Sequence, residues 1–315
     1  VINIDKLSYS ASSYNLKDAN KKNYLFFKLD INNKKKLSLL IKKYKPSAIF
    51  NLAAETHVDR SIDDPKNFIN TNILGVYSLL QAVGKYTKNN KKKIKLIQVS
   101  TDEVYGDIKN GIKSNESYPY NPSSPYAASK ASADNLIKSF VRTYKLPAII
   151  SICCNNYGPN QFPEKLMPKL IYNLINGKSL PIYGKGKNIR EWIYVEDHCD
   201  ALLKILMKGK LGESYNVGSS CDLKNIDLTK KIIKIFKKSP SNKKKKFEIK
   251  YVKDRPGHDV RYSLNCNKIR KKLGWKPKTN FNLGLKKTVR WYLDNLGFFS
   301  SVSKKLYKKR LGLKI

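Results

Sequence analysis

The sequence predicts an α/β fold with a doubly wound parallel sheet, followed by a smaller lobe in the C-terminal half. Short apolar runs rich in β-branched and aromatic residues alternate with helical stretches up to about residue 154. These runs are continuously apolar, as expected of strands that helices cover on both faces. With 315 residues, the chain is long enough for one or two domains. Sheets of this kind bind ligands at the carboxyl ends of their strands.

The elements of the first half follow in a regular order. The predicted strands have the sequences VINI, YLFFKLD, AIFNLAA, KLIQVS and AIISICC. Helical stretches at about 34–44, 68–85 and 126–144 separate them. Pro65 precedes the second helix, where its fixed φ is tolerated. We therefore predict a first domain over residues 1–154.

The second half is less regular. Turn residues are frequent after residue 155, and helices are predicted at about 167–176 and 195–208. We interpret residues 155–298 as mainly a substrate-binding lobe, with about 185–225 returning to the first domain. The basic segment 299–315 is predicted to be a frayed tail.

The chain is strongly basic, with 63 Lys and Arg against 24 Asp and Glu, giving a net charge of +39. Lysine far outnumbers arginine and is spread from Lys6 to Lys314, whereas nucleic-acid binders concentrate basic residues on one face. We predict solvated lysine surfaces rather than nucleic-acid binding. The positive field would still attract an anionic substrate.

Two further patterns limit the class of protein. No apolar run of about 18 residues is present, which predicts no membrane-spanning helix, and no charged-then-apolar leader with a cleavage site is found. The five cysteines form no CxxC pair and have no metal-ligand spacing. Reduced thiols, a cytoplasmic location and no metal site are therefore expected.

The segment SPYAASKASAD places Tyr126 and Lys130 four residues apart, on one face of a predicted helix. A nearby ammonium and a cationic nicotinamide ring would favour the phenolate, so that Tyr126 could act as a general base near neutral pH. The pattern alone is weak, because tyrosine and lysine are both abundant in this chain.

The segment VSTDEVYG follows the apolar strand KLIQV directly, so Thr101, Asp102 and Glu103 are expected at the carboxyl end of that strand. A hydroxyl and two carboxyls can supply a donor, an acid and a base if their environments separate the two pKa values. The same residues are also good helix caps. Their position between the fourth strand and the Tyr126 helix favours the catalytic interpretation.

The segment NLAAETHVDRS follows the strand AIF. Its small residues would let a cofactor approach the backbone. His57 in this segment could be catalytic, although a single loop histidine is more often a packing or hydrogen-bonding residue.

Several segments resemble the dTDP-glucose 4,6-dehydratases, which are extended short-chain dehydrogenase/reductase enzymes, and they occur in the family's order from about residue 1 to about residue 295. The related 4-epimerases share the Tyr-Lys pair but usually have a small residue where this chain has Asp102 and Glu103. The segments are NIDKLSY, NLAAETHVDRSI, TNILGVYSLL, VSTDEVYGD, PSSPYAASKASAD, CNNYGPNQFPEKLMP, LPIYGKGKNIREWIYVEDH, YNVGSS and DRPGHDVRY.

The resemblance implies a Rossmann-like fold and a hydro-lyase that converts dTDP-glucose to its 4-keto-6-deoxy form in deoxysugar biosynthesis, with NAD as cofactor. Tyr126 would take the proton of the 4-hydroxyl, to which Thr101 hydrogen-bonds, while hydride passes from C4 to NAD⁺. Glu103 would remove the C5 proton, and Asp102 would protonate the departing 6-hydroxyl. Hydride would then return to C6. A homodimer through the Tyr126 and Phe68 helices is also implied.

The resemblance also implies the binding residues. Asp5 would accept the ribose hydroxyls, which favours NAD over NADP. The implied cofactor-binding residues are Asp5, Lys6, Leu7, Ser8, Asp30, Ile31, Leu52, Ala53, Ala54, Glu55, Thr56, Thr71, Tyr126, Lys130 and Asn156. The implied substrate-binding residues are Thr56, Thr101, Asn155, Lys165, Leu166, Pro181, Ile182, Tyr183, Arg190, Asn225, Asp254, Arg255, Pro256, Gly257 and His258.

Arg190 and Arg255 also stand out from the residues themselves. Arginine is scarce in this lysine-rich chain. Where the composition favours lysine, an arginine suggests a need for guanidinium geometry, such as bidentate binding of a pyrophosphate. A structural or surface role is the alternative.

The chain departs from the family's pattern at its start. VINIDKLSYS is typical of the second strand of a nucleotide-binding unit, yet no Gly-rich strand-turn-helix precedes Val1, and YGKGKN follows no strand-to-helix signal. Such glycines let the backbone approach a pyrophosphate. We expect the central first strand of the order 3-2-1-4-5-6 to be missing. By itself, this 315-residue chain is expected to be inactive and to bind NAD weakly.

Two other functions remain open from the sequence. The chain could be another NDP-sugar dehydratase or a 4-epimerase, which product analysis would distinguish. It could instead be a non-catalytic basic protein that uses a Rossmann scaffold to bind nucleic acid, which would show a steeply salt-dependent affinity.

Overall fold

A computed structural model describes residues 1–91, 93–239, 242–302 and 311–312. The predicted α/β fold is confirmed, and each of the five predicted strands of the first half is present. The strands are β1 (Ile2–Asp5), β2 (Leu25–Lys28), β3 (Ala48–Asn51), β4 (Lys95–Thr101), β5 (Ala148–Cys153), β6 (Asn155–Tyr157), β7 (Leu180–Tyr183), β8 (Ile189–Tyr194), β9 (Ser214–Val217), β10 (Asp222–Lys224) and β11 (Ile249–Val252).

Helices connect these strands as the apolar periodicity predicts. The predicted helices at 34–44, 126–144, 167–176 and 195–208 all appear, within one residue at each end. The helices are α1 (Lys34–Tyr44), α2 (Val58–Asp63), α3 (Lys66–Phe68), α4 (Gly75–Asn89), α5 (Pro125–Tyr144), α6 (Leu166–Ile175), α7 (Val195–Lys208), α8 (Asn225–Phe236), α9 (Asn267–Leu273), α10 (Phe281–Asp294) and α11 (Gly297–Ser300).

The strands of the first domain form two parallel sheets. β3, β4, β5 and β9 lie side by side in that order, all parallel, and β1 pairs with β2. In the part of the chain that the structure describes, no strand joins the two sheets. β1 and β3 are each at a sheet edge, and most of their residues are therefore only half-buried. β5, which has neighbours on both sides, is fully buried, and so is β9 at the other edge of the four-stranded sheet.

The predicted helix at 68–85 differs from the observed one. A π-helical segment, Ile69–Leu74, separates α3 from α4, and α4 continues to Asn89. Asn72 in this segment accepts a hydrogen bond from the Glu55 backbone N–H at 2.9 Å and donates to the Ser129 hydroxyl at 2.8 Å. Such single-turn widenings often occur at functional sites. Here the segment joins the end of β3 to α5.

Two cores support the two halves. One lies around β4 and β5 between α1, α4, α5 and α7, and the other lies around α6, α8 and α10. Two further sheets belong to the second half. In one, β8 pairs with β6 and β10, and in the other β7 pairs in parallel with β11. β9 pairs with β5, and α7 contacts β4, β5 and β9. The domain boundaries and the return of about 185–225 to the first domain stay predictions.

The prediction of a frayed tail that begins at residue 299 is wrong at Phe299 and Val302. Phe299 and Val302 are buried in the second core, because their apolar side chains pack against α6 and α10 residues. Gly312 has φ +77° and lies against Asp59. The remaining tail residues, 303–310 and 313–315, lie outside the described residues.

Candidate active site

The carboxyl end of β4 presents Thr101, Asp102 and Glu103 in one turn of 3₁₀ helix, Asp102–Tyr105. The Thr101 hydroxyl donates to Asp102 Oδ1 at 3.3 Å and accepts from the Glu103 backbone N–H at 3.3 Å. Thr101 is therefore the N-cap of this turn, and its cap bond fixes the direction of both carboxyls. The two interpretations of the sequence, cap and catalytic group, are compatible in one residue.

The environments of the two carboxyls differ. Asp102 is buried, its Oδ2 has no hydrogen-bond partner among the described residues, and its pKa is raised well above the usual range. Burial is the main cause, and the charges of Glu103 and Glu191 add to it. Glu103 instead lines an open cavity. A protonated acid thus sits next to a more accessible carboxyl, which is the separation that acid–base chemistry requires.

Tyr126 and Lys130 lie on the first two turns of α5, which faces β4. The Ser124 hydroxyl caps this helix at 3.1 Å from the Ala127 N–H, and Ser61 accepts from the Tyr126 N–H at 3.1 Å. The Lys130 ammonium donates to the Val99 carbonyl at 2.6 Å. These bonds hold both side chains beside the end of β4.

The sequence predicted that the Lys130 ammonium favours the phenolate of Tyr126, but Lys130 is not among the main influences on the pKa of Tyr126. Burial raises the pKa of Tyr126 well above its usual value, Glu103 adds to the rise, and the hydrogen bond with Thr101 lowers it. The ammonium of Lys130 is directed to the Val99 carbonyl, and burial lowers the pKa of Lys130. The protein groups alone therefore favour a neutral phenol at position 126.

The predicted cofactor residues of the first strands gather around Lys6. Its ammonium donates to the Thr71 hydroxyl at 2.7 Å and lies 3.3 Å from Glu55 Oε1. Asp5 Oδ1 accepts from the Leu7 N–H at 2.6 Å, and Leu7 has φ 57°. The turn after β1 is thereby closed by the same carboxylate that was predicted to bind ribose. Ser8 continues this turn, with its carbonyl accepting from the Ala11 N–H at 3.0 Å.

The remaining predicted cofactor residues lie at neighbouring strand ends. Asp30 Oδ1 accepts from the Asn32 N–H at 2.8 Å, next to the buried Ile31. Leu52, directly after β3, is 61% exposed. Asn156 Oδ1 hydrogen-bonds His198 at 2.9 Å. Ala53, Ala54 and Glu55 follow Leu52 in the chain and lead to Thr56, which lines the cavity.

These residues fit a dinucleotide. Leu52 and Leu7 are large apolar side chains exposed at the carboxyl ends of β3 and β1, where a flat ring would cover them. Ala53 and Ala54 are small, which allows close approach to the backbone. Lys130 has one hydrogen-bond partner, Val99, among the described residues, which leaves N–H donors for ribose hydroxyls.

A cavity of about 540 Å³ opens beside the end of β4, between the two halves of the chain. Its size suits a ligand larger than a simple sugar. Of the predicted substrate residues, Thr101, Asp254, Pro256 and Gly257 are outside its wall. The predicted residues in the wall are Thr56, Asn155, Lys165, Leu166, Pro181, Ile182, Tyr183, Arg190, Asn225, Arg255 and His258.

The wall holds several polar atoms without a partner. Asn155 Oδ1, Asn225 Oδ1 and Arg255 Nε are buried, and no hydrogen bond satisfies them in the part of the chain that the structure describes. An unsatisfied buried polar atom costs about 1–3 kcal/mol. A bound polar ligand would offset this cost, so the wall is suited to a ligand with both donors and acceptors.

The charge of the cavity is mainly positive. Lys165 donates to the Thr56 carbonyl at 2.5 Å, and burial lowers its pKa. Arg190 is buried and lies over the Tyr262 ring at 4.2 Å. His258 pairs with Asp254 at 2.5 Å, and burial, with Arg255 and Arg190 adding, lowers the pKa of His258 to about 4. Cationic arginine and neutral histidine together suit a diphosphate.

Sequence reasoning missed part of this wall. Asp59 is buried, accepts from the Tyr183 hydroxyl and has its Oδ1 3.3 Å from Arg255 Nη1, so one carboxylate orients two predicted substrate residues. His57 accepts from the Arg60 N–H at 3.4 Å as a helix N-cap. Lys250 reaches the wall because β11 pairs with β7. No local signal marks that pairing. Other residues missed in the wall are Val58, Glu164, Lys169, Tyr172, Asn173, Lys178, Ser179, Trp192 and Val252.

Two global features complete the description. None of the described helices is both long and apolar enough to span a membrane. Within the described ranges, no group of three or more His, Cys, Asp or Glu is placed to hold a metal ion.

Comparison with known proteins gives consistent results. The family model described as GDP-mannose 4,6 dehydratase matches residues 1–288. The dTDP-glucose 4,6-dehydratase of Shigella flexneri is 45% identical over 98% of this chain and 90% of its own length. A crystal structure of the Streptomyces venezuelae dTDP-glucose 4,6-dehydratase with NAD bound superposes with a TM-score of 0.88 at 40% identity, covering 96% of this chain and 90% of that one.

A 4-epimerase also matches, more distantly. The UDP-glucose 4-epimerase of Thermotoga maritima has a TM-score of 0.84 at 28% identity, covering 94% of this chain and 91% of that one. The fold of this chain is thus similar to that of both a dehydratase and an epimerase.

Proposed function

The chain belongs to the nucleotide-sugar 4,6-dehydratase family, within its dTDP-glucose 4,6-dehydratase group, and on that premise we propose that it dehydrates dTDP-glucose to dTDP-4-keto-6-deoxyglucose with NAD as cofactor. The observation that supports this reaction best is the pair of carboxyls at the end of β4. Asp102 is buried and held protonated, while Glu103 lines the cavity. A 4-epimerase needs neither an acid for a leaving hydroxyl nor a base for a C–H proton.

The chain's residues divide the proton transfers among them. Tyr126, hydrogen-bonded to Thr101, accepts the proton of the sugar 4-hydroxyl. Glu103 removes the proton next to the resulting ketone, and Asp102 protonates the 6-hydroxyl as it leaves as water. Glu103 and Asp102 are consecutive in the 3₁₀ turn, in which Glu103 lines the cavity and Asp102 is buried next to it in the chain.

The cofactor would be held by Asp5, Lys6, Lys130 and Asn156. NAD supplies the hydride acceptor and a positive ring charge that favours a nearby phenolate. The protein environment alone favours a neutral Tyr126 phenol, so the activity of Tyr126 as a base would depend on bound NAD.

The substrate would lie along the cavity with its diphosphate near Arg190 and Arg255. Both guanidinium groups are largely buried, and Arg255 Nε lacks a partner among the described residues. Asn155 and Asn225, each with an unsatisfied oxygen, would accept hydroxyl or imide protons.

The proposed reaction is tested with the purified protein, NAD and dTDP-glucose, with UDP-glucose and GDP-mannose in parallel. Turnover by the 315-residue chain itself would overturn the expectation that this chain alone is inactive. We expect a product that has lost one water, formed fastest from dTDP-glucose. In D₂O the product should contain one deuterium at C5, because Glu103 exchanges that proton. A product of unchanged mass would identify an epimerase, and no conversion of any of the three sugars would contradict the proposal.

We also propose a homodimer in the cytoplasm. Ile69, Leu74 and Tyr77 are between 44% and 49% exposed on the π-helical segment and α4, which forms an apolar face suited to a second copy. The five cysteines are all free, and three of them are buried, which suits a reducing compartment.

A further inference from the structure

Asp134 is a buried carboxyl that the reaction described above does not use. It lies one turn after Lys130 on α5, at 0% exposure, and its Oδ1 has no partner among the described residues. Its Oδ2 accepts from the Ser100 hydroxyl at 2.5 Å and from the Tyr120 hydroxyl at 3.1 Å. Isolated buried carboxylates are costly, so a nearby positive charge is needed to keep this one ionised.

Asp134 and Lys130 are fixed to consecutive residues of β4. Lys130 donates to the Val99 carbonyl, and Asp134 accepts from the side chain of the next residue, Ser100. Residues four apart on a helix lie on one face, so the two buried charges share the space between α5 and β4. Thr101, the last residue of β4 and the N-cap of the Asp102–Tyr105 turn, follows Ser100 directly.

We propose that Asp134 is a positioning residue that acts through Lys130, as the buried counter-charge that keeps the Lys130 ammonium protonated beside Tyr126. This proposal rests on the proposed dehydratase function, because it assigns Asp134 a part in that reaction. Asp134 does not touch the substrate cavity wall, and its effect is transmitted by charge and by the shared strand.

The charges around Asp134 are consistent with this role. Burial raises the pKa of Asp134 to about 6, with Lys130 acting in the opposite direction. The carboxylate is therefore ionised above about pH 6. Burial lowers the pKa of Lys130, and Asp134 is the largest influence that raises it. Without Asp134, the ammonium would lose its proton at a lower pH.

Other titratable groups surround the pair of Asp134 and Lys130. Lys138 lies on the same helix with its ammonium over the Tyr120 ring, Tyr105 lies after β4, and Cys153 lies on β5 near Lys130. Asp102 and Glu103 lie at the Tyr126 end of α5. From the elements packed on α5, Ser61 of α2 and Asn72 of the π-helical segment hydrogen-bond to it, and Tyr77 of α4 packs on its Phe140 ring.

The test compares Asp134→Asn with Ser100→Ala and Tyr120→Phe in the full-length enzyme. Asn keeps one acceptor oxygen for both hydroxyls, removes the charge and places an amide N–H₂ where Oδ1 has no partner among the described residues. We expect the alkaline limb of the kcat–pH profile to move down by about one pH unit in Asp134→Asn, with activity recovering towards wild type at lower pH. The two controls each remove one hydrogen bond, and they should retain the wild-type limb. An unmoved limb in Asp134→Asn, or equal shifts in all three variants, would overturn the proposal.

A second measurement does not depend on turnover. The melting temperature is compared for Asp134→Asn, Lys130→Met and the double variant at pH 8. We expect Asp134→Asn to lower the melting temperature when Lys130 is present and to raise it when Lys130 is Met, since an unpaired buried carboxylate destabilises the fold. The same sign in both backgrounds would contradict the pairing. If the wild-type protein does not turn over dTDP-glucose but the sign reversal is observed, the proposed dehydratase function is wrong, whereas the pairing of Asp134 with Lys130 is supported.

Discussion

The Thr101 hydroxyl donates a hydrogen bond to Asp102 Oδ1 at 3.3 Å, while Asp102 Oδ2 is buried without a partner among the described residues. One oxygen is thus held by the strand end, and the other makes no hydrogen bond with the described residues. This arrangement keeps the carboxyl protonated and oriented, which is the state required of an acid for a leaving hydroxyl.

Asp102→Asn should therefore remove the elimination step while preserving the shape of the turn. The amide cannot deliver a proton, so we expect kcat to fall by about 10²–10⁴-fold. Formation of the dehydrated sugar, followed by mass spectrometry, provides the measurement. Asp200→Asn is the control, because its carboxylate is exposed on α7 and pairs with Lys278 at 3.4 Å. A variant at position 102 with more than a tenth of wild-type kcat would contradict the role of acid.

Tyr126→Phe tests the base for the 4-hydroxyl. Loss of the phenol oxygen should lower kcat by about 10²–10⁴-fold and leave the melting temperature nearly unchanged, because the ring still packs against Phe68. Tyr144→Phe, on the same helix and 66% exposed, is the matched control and should retain activity. Steady-state kinetics of both variants would show the difference, and equal losses would argue against a special role for Tyr126.

Arg255→Lys tests the diphosphate contact. A lysine retains the charge but cannot reproduce the planar fork that contacts Asp59 and the cavity together. We expect KM for dTDP-glucose to rise about tenfold, which corresponds to about 1.4 kcal/mol, with a smaller change in kcat. The exposed Arg290, paired with Asp294 on α10, provides the control Arg290→Lys. Isothermal titration with dTDP would confirm the loss, and an unchanged affinity would exclude Arg255 from the binding site.

His198 should make the fold sensitive to acid. Burial lowers the pKa of His198 to about 4, so between its unfolded pKa near 6.5 and about 4 the unfolded state binds the additional proton. The free energy of unfolding should then fall with falling pH across this window, by up to about 3 kcal/mol from this residue. Urea unfolding at pH 7.5 and pH 5 measures the loss. His198→Asn should show a smaller loss than Asp200→Asn, which keeps the histidine; identical losses would disprove the assignment.

Leu74→Glu tests the proposed dimer face. Leu74 is 49% exposed in the π-helical segment, and a carboxylate there should split the dimer into monomers. Met207→Glu introduces the same charge at an apolar residue on α7 that is 73% exposed, and it should leave the dimer intact. Light scattering coupled to gel filtration gives the mass of each. A monomeric wild type, or a dimeric Leu74→Glu, would show that this face is not the interface.

The sequence determined the order of the strands and helices of the first half. Continuous apolar runs identified β1 to β5, and helical spacing placed α1, α5 and α7 within one residue. It also placed Thr101, Asp102 and Glu103 at a strand end and Tyr126 one turn from Lys130, because these relations are local in the chain.

Tertiary structure decided the properties that depend on distant residues. The cavity wall joins Asp59 to Tyr183 and Arg255, and Lys250 enters it only because β11 pairs with β7. The protonation of Asp102 and Tyr126 follows from their burial, which no local pattern reports. Periodicity records which face of an element is apolar, whereas desolvation and long-range pairing arise only when the elements pack together.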